Sequence, residues 1–519
     1  MTRILARTGI AAAILVAILV LFGVGLLTYE TVSGLTTVNN DLEFTNELTI
    51  PPLLEPEMVG DKKVFKFTLQ EGETEFLPGQ MTRTWGANGA YLMPTIRASE
   101  DDDIELHVRN DLDEMTTIHW HGMHLPPTMD GVHQIITPGE TWQPYWQVRQ
   151  QAATLWYHPH LHGVTGLHVY NGLAGMFILE DDNSRSLDIP QEYGVNDFPI
   201  IVQDRLFDAN GQFVYSKLET DLLGHKGMLG DTLLVNGTRD PYLEVPSGLV
   251  RLRLLNGSNA RRYNFGFADD REFHQIASDG GFLEQAVATT RLLLSPGERA
   301  EILVNFNDTE PVALMSYVVD DWPVYLAAGF RIARTIRDER QMFNVLELRP
   351  QGGAAEHTAI PSRLNTIARY NEAEAVTTRS FELEEDNTIN GVPMRIKHIN
   401  EVVRLNTKEI WEIDNGSDTY HPFHVHDVQF QILDRDGVAP PPHEQGWKDT
   451  VTIPAEGTVR IMMEFTDYAD PHVPYMYHCH ILEHEDHGMM GQFVVVADDS
   501  VVPEVRTEAA ELNLMEHTH

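Results

Sequence analysis

Residues 477–490 read YHCHILEHEDHGMM and hold Cys479, the only cysteine among 519 residues. The thiol lies between His478 and His480, with His484 and the adjacent Met489 and Met490 close behind. Thiolate, imidazole and thioether together make a soft donor set that suits copper. Three more clusters supply imidazoles: HWHG at 119–122, HPHLHG at 158–163 and HPFHVH at 421–426. A lone H-x-H is usually an incident of the surface, but these clusters recur and one holds the sole cysteine, which points to a metal centre. Structural zinc gathers several cysteines or one compact four-ligand set, whereas the donors here fall in two distant stretches of chain.

Such spacing has meaning on strands. Successive side chains of a strand point to opposite faces, so the imidazoles of an H-x-H pair share a face and can serve one metal or two adjacent ones. In HCH, His478 and His480 face one side and Cys479 the other. A copper on Cys479 would be wired through a few bonds to metals held by its neighbours, which suits electron transfer from a single-ion site to a cluster. The rest of the chain agrees with strands. DIELHVRN, GMFILE, PIIVQD, LVRLRLLNG, RAEILVNF, RIMMEF and GQFVVVA alternate or are β-branched. Turn-forming Gly, Pro, Asn and Asp separate them, the pattern of β-sandwiches. NDLDEMTTIHWHG and DNGSDTYHPFHVH each lead on to a second histidine cluster, a loose internal repeat. The middle third carries LLVNG, LLNGSNARRYNFGF and IASDGG but no paired histidines. These features predict an all-β chain of three sandwiches, at 41–185, 186–355 and 356–505, with metal ligands confined to the first and third. RPQGGAAEHTAIPSR reads as the second linker, and 506–519, with His517 and His519, as a disordered polar tail.

Acidic residues number 77 against 37 basic, a formal net charge of −40, which argues against nucleic acid or anionic membrane surfaces as partners. At the N-terminus, Arg3 and Arg7 precede an uncharged apolar run over residues 9–27. It is nearly long enough to span a bilayer and longer than the usual core of a cleaved signal. Residues 1–40 are therefore expected to be a signal or membrane-anchoring helix with its linker. Basic residues before the run and acidic ones after it place the body outside the cytoplasm, on the periplasmic or extracellular face. A lone cysteine there cannot form an internal disulfide, and a metal-bound thiolate accounts for it.

With all four histidine motifs present in order, the sequence resembles the three-domain multicopper oxidases: laccases, bacterial copper efflux oxidases and bilirubin oxidases. The likeness runs from about residue 60 to 500, and WGANGAYLMPTIR, LLNGSNARRYNFGF, IASDGG and GWKDTV look like the copper efflux branch. The resemblance implies cupredoxin-like Greek-key domains and four copper ions. His421, Cys479 and His484 would form the type 1, blue site, with Met489 as weak axial ligand and Met490 as its rival. His119 and His424 would hold the type 2 copper. His121, His158, His160, His426, His478 and His480 would hold the type 3 pair. His124, His133, His162, His168 and His487 match no ligand position and read as supporting or surface groups.

The resemblance also implies the reaction, in which electrons taken singly from a donor reduce dioxygen to water. Protons must reach the cluster, and ligand histidines cannot give them. Asp130 resembles the family's acid beside the cluster, and Glu485 the proton-relay glutamate of the bacterial branch. Carboxylates near cations should have depressed pKa values unless burial offsets this. Phenols and aromatic amines are the implied reductants, with dioxygen as partner and the monomer as the expected state. A ferrous or cuprous oxidase is the alternative, but the methionine-rich insert that usually accompanies cuprous oxidation is missing. The family's aspartate four residues before His421 is also displaced, since position 417 is Ser and Asp418 follows. A copper-sequestering tolerance protein would need no turnover. Division-associated members of the superfamily have lost their ligands, and a two-domain nitrite reductase would not have this ligand-free middle.

Overall fold

The computed structural model describes residues 38–215, 227–307, 310–319, 341–353, 357–498 and 502–511. The N-terminal apolar run, His517 and His519 lie outside them. Among the described residues no helix is long and apolar enough to cross a membrane.

Six sheets pair into three sandwiches. All seven runs singled out above fall on strands, two of them overrunning the strand end by one residue. DIELHVRN is strand Asp103–Asn110, whose burial alternates residue by residue because one face meets the core and the other water. In the first sandwich this strand's sheet packs on a three-stranded sheet of Ile96–Ser99, Ala153–Tyr157 and Gly175–Glu180, over a core that includes Phe65, Trp120, Leu155 and Phe177.

The middle sandwich joins a seven-stranded sheet to a six-stranded one. Asn46–Glu47, which sequence reading groups with the first unit, pairs in parallel with Pro241–Tyr242 of the middle one. Strand Gly248–Asn256 is buried on both faces. Val250, Leu252 and Leu254 enter the sandwich's own core. On the opposite face Arg253 donates to Asp197 and to Glu301, and also to the Thr154 hydroxyl of the first sandwich. A buried arginine survives there because its donors meet fixed acceptors.

In the third sandwich, a four-stranded sheet faces a five-stranded one ordered Glu401–Arg404, Met490–Val496, Asp470–Cys479, His421–Val425 and Thr450–Ile453. The register sets Phe423 opposite Cys479 and His424 opposite His478. The chain then runs back past its own sandwich onto the first. Arg506 N–H donates to His472 O at 2.9 Å, Ala509 and Ala510 pack with Val132 and Ile135, and the Thr507 hydroxyl lies 3.3 Å from His133 Nδ1. The segment read as the start of a disordered tail thus ends in a short helix, Glu508–Glu511. Its alanines are its apolar side, a pattern too short to register as periodicity.

Candidate metal centre

Backbone pairing brings the histidine clusters together before any side chain is considered. His119 N–H donates to His158 O at 2.8 Å and His158 N–H returns to His119 O at 3.1 Å, which joins HWHG to HPHLHG. The strand pair His421–Val425 and Asp470–Cys479 does the same for the other two motifs. Alternation along the second of these divides the donors between two faces of one sheet.

On one face, Cys479 meets His421 and His484. The Cys479 Sγ to Nδ1 distances are 3.4 Å to His421 and 3.6 Å to His484, and the two nitrogens are 3.3 Å apart. Cys479 is completely buried, and burial pushes its thiol well above the ordinary range. A soft cation is what would make thiolate the stable form there. Ile481 N–H points at the sulfur from 3.4 Å, and the Ser417 hydroxyl lies 2.8 Å from His421 Nε2. Met489 belongs to the same core cluster as Cys479 and Ile481. Met490 belongs to another, with Met476, Met394 and Val132.

On the opposite face, eight buried imidazoles fall into overlapping groups. His121 gathers with His158 and His480, His160 with His426 and His478, and His119 with His121 and His424; within each group the donor atoms lie within 4.8 Å of one another. Burial, reinforced by neighbouring imidazoles, holds His121, His158, His160, His424, His426 and His480 far below the usual histidine pKa, and burial holds His478 at about 3. They are therefore neutral, the form a metal needs. His119 and His158 each spend Nδ1 on a carbonyl, of Asp130 and Pro159. Their Nε2 atoms, His121 Nδ1, His424 Nε2 and both nitrogens of His480 are buried with no hydrogen-bond partner. Each such atom would cost about 1–3 kcal/mol if nothing satisfied it. The donor set therefore fits copper ions between these rings.

Three acids surround the imidazoles. His426 Nδ1 donates to Asp130 Oδ2 at 2.8 Å, and Asp130 Oδ1 lies 3.2 Å from His119 Nδ1. Glu485 places its two oxygens 3.4 Å from His160 Nδ1 and 3.3 Å from His478 Nδ1. Burial, then the charge of Asp486, raises Glu485 far above the usual carboxyl range; the depression expected of a carboxylate among cations is reversed in the protein alone. The third acid, Asp449, has no role in the motif reading. Its Oδ1 is 3.1 Å from His121 Nε2, and its carbonyl accepts from His424 Nδ1 at 2.8 Å. Arg299 of the middle sandwich grips it. GWKDTV contains Asp449, and its place one residue before a strand paired with HPFHVH was the available signal. Arg299, in a stretch without histidines, had none.

The histidines outside these groups sort differently from one another. His124 spans two sandwiches, 2.8 Å from Asp427 and 3.0 Å from Asp467, and His168 is buried against Thr116 and Trp85.

Three sandwiches, with one thiolate site and a histidine basin on opposite faces of a single strand, define a class that independent likeness confirms. The multicopper oxidase pattern matches residues 68–184, 196–319 and 361–499, and the chain belongs to the multicopper oxidase family. It is an oxidoreductase that depends on copper and couples one-electron oxidation of a donor to the four-electron reduction of dioxygen to water. It is similar to the cell division protein FtsP of Escherichia coli, with 38% identity over 86% of this chain and 92% of that one. It is also similar to the crystal structure of a laccase from Pediococcus acidilactici, at 37% identity and TM-score 0.78 over 89% and 95% of the two chains. A laccase-like multicopper oxidase from the lignin-degrading bacterium Ochrobactrum sp., with oxidase activity towards lignin model compounds, is 35% identical with TM-score 0.78 over 86% and 100%. The three sandwiches are accordingly cupredoxin-like.

Proposed function

We propose that the chain is a laccase-type oxidase of phenols and aromatic amines that holds four copper ions. His421, Cys479 and His484 take the type 1 ion, with the Met489 thioether beside them. His119 and His424 take the type 2 ion. The triads His121, His158, His480 and His160, His426, His478 take the type 3 pair. The carrying observation is the end of strand Asp470–Cys479: His478 and His480 are the immediate chain neighbours of Cys479, so the two faces share a covalent path. Met489 is preferred to Met490 because it shares the Cys479 core cluster.

Bound copper supplies four one-electron transfers, matching the demand of dioxygen. The chain's own groups do the remaining work. His121 and His424 are held by Asp449, and His119 and His426 by Asp130, so rings cannot turn as charge changes. Glu485, whose pKa burial raises, lies within reach of His160 and His478 and is the first proton donor. Asp130, against His119 and His426, is the second proton donor. The apolar run at 9–27 and the charge pattern around it support an exported body; the chain is proposed to act as a monomer, with its sandwiches divided at about 185 and 355. Kinship with a cell division protein raises a non-catalytic reading, which the full set of buried, grouped imidazoles disfavours.

Copper analysis, an absorption spectrum and oxygen uptake test this together. About four coppers per chain, a blue thiolate band and faster oxygen uptake with a phenol than with ferrous or cuprous ion are expected. A colourless protein with a single zinc, or one that binds copper without oxygen uptake, would refute it.

A further inference from the structure

We infer that Arg299, from the sandwich that carries no ligand, is the positioning residue that decides which nitrogens His121 and His424 present to the trinuclear site. The inference rests on the reading of those two histidines as copper ligands. Arg299 is completely buried, and each of its five N–H groups has an acceptor. Nε donates to Thr154 O at 3.0 Å. Nη1 donates to Gly297 O at 3.0 Å and Asp449 Oδ1 at 2.7 Å, and Nη2 to Asp279 O at 3.1 Å and Asp449 Oδ2 at 2.6 Å. Those acceptors come from all three sandwiches, so the guanidinium is locked where they meet.

The parallel fork onto Asp449 leaves that carboxylate one orientation. Oδ1 then receives His121 Nε2–H, while the Asp449 backbone carbonyl receives His424 Nδ1–H. The two rings, stacked with centroids 3.7 Å apart and 11° between planes, are thus fixed in opposite tautomers. His121 offers Nδ1 and His424 offers Nε2, the atoms that lack protein partners. Arg299 acts on a third ring as well. Gly297, whose carbonyl it holds, has φ +83°, and a Cβ built there would stand 2.9 Å from the His480 ring. The loop therefore backs His480 at van der Waals range, and only glycine fits it. Lysine cannot replace this fork, because an ammonium is a point charge with no planar pair of donors.

Arg299→Lys and Asp449→Asn, each prepared copper-loaded, are compared with Arg253→Lys. Arg253 is an equally buried arginine on the same inter-sandwich face that touches no histidine. Arg299→Lys is expected to alter the type 2 electron paramagnetic resonance signal and weaken copper retention roughly 10- to 100-fold, with the blue band unchanged. Asp449→Asn, which sets an amide NH₂ against the guanidinium, should reproduce the loss. Arg253→Lys should lower the melting temperature while keeping wild-type copper and spectra. Wild-type copper content and type 2 signal in Arg299→Lys would overturn the inference, as would equal copper loss in Arg253→Lys. If Arg299→Lys does not fold, Asp449→Asn decides by the same two readouts. Failure of the wild type itself to hold about four coppers would instead sink the ligand assignment.

Discussion

The thiolate site and the histidine basin lie back to back on one strand, yet they are built in opposite ways. His421, Cys479, His484 and Met489 all come from one sandwich and most of their surroundings are that sandwich's apolar core. The basin takes imidazoles from the first and third sandwiches and its clamp from the second, and it is ringed by Asp130, Asp449 and Glu485. One site is a property of a single folded core. The other exists only when three cores have assembled, and it needs charged groups because protons as well as electrons must arrive.

The sharpest break of that contrast is Cys479→Ser, which should abolish the blue band and oxidation of organic donors while leaving about three coppers per chain, since the basin does not use the thiol. Full phenol oxidation in this variant would show that electrons enter elsewhere. Asp130→Asn should act on the basin alone. It keeps volume and an acceptor for His426 but cannot deliver a proton, so reoxidation by dioxygen should slow by ~10- to 1,000-fold with anaerobic bleaching of the blue band unchanged. Stopped-flow mixing separates the two half-reactions, and the reverse pattern would assign Asp130 to the other site. Met489→Leu should raise the reduction potential of the blue site, because a weak thioether donor stabilises the oxidised ion. Met490→Leu should leave it alone, and equal shifts would void the distinction between their clusters.

The smallest effect concerns assembly. Burial alone would lower the His124 pKa, but the Asp427 charge and hydrogen bonds to Asp427 and Asp467 outweigh it and hold it at about 9. That is above the free value near 6.5. The pair therefore contributes fully below about pH 6.5, and its contribution is lost as pH rises through about 9. His124→Gln should cost ~1–3 kcal/mol in denaturant unfolding at pH 6, towards the lower end because Asp467 is partly solvent-screened, and nearly nothing at pH 10. A deficit that does not shrink with pH would mean His124 contributes packing, not charge.

Much of this was legible because metal chemistry is conspicuous. HCH states its own geometry once strand alternation is granted, and runs such as RAEILVNF carry the pattern of their strand, whereas HWHG lies outside any strand and is placed by the single bridge of His119 to His158. Asp449 was half visible, in a motif but without a partner to explain it. Arg299 was invisible, since a buried arginine in RAEILVNF reads like any residue at a strand's start, and its meaning lies in contacts 145 to 150 positions away. The N-terminal strand Asn46–Glu47 was misgrouped for the same reason: sequence proximity to the first unit conceals a partner at 241–242.

The doubling-back of residues 505–510 onto Val132, Ile135 and His133 has a consequence in time. Translation makes the first sandwich well before these residues, so the surface beside Asp130 stays uncovered until the third sandwich has been made. Domains fold in order of synthesis, and His119 to His160 must wait for His421 to His480. The basin is thus completed only after the third sandwich has formed. A nascent chain stalled before residue 420 would carry half its imidazoles folded and exposed, able to bind stray metal but unable to use it.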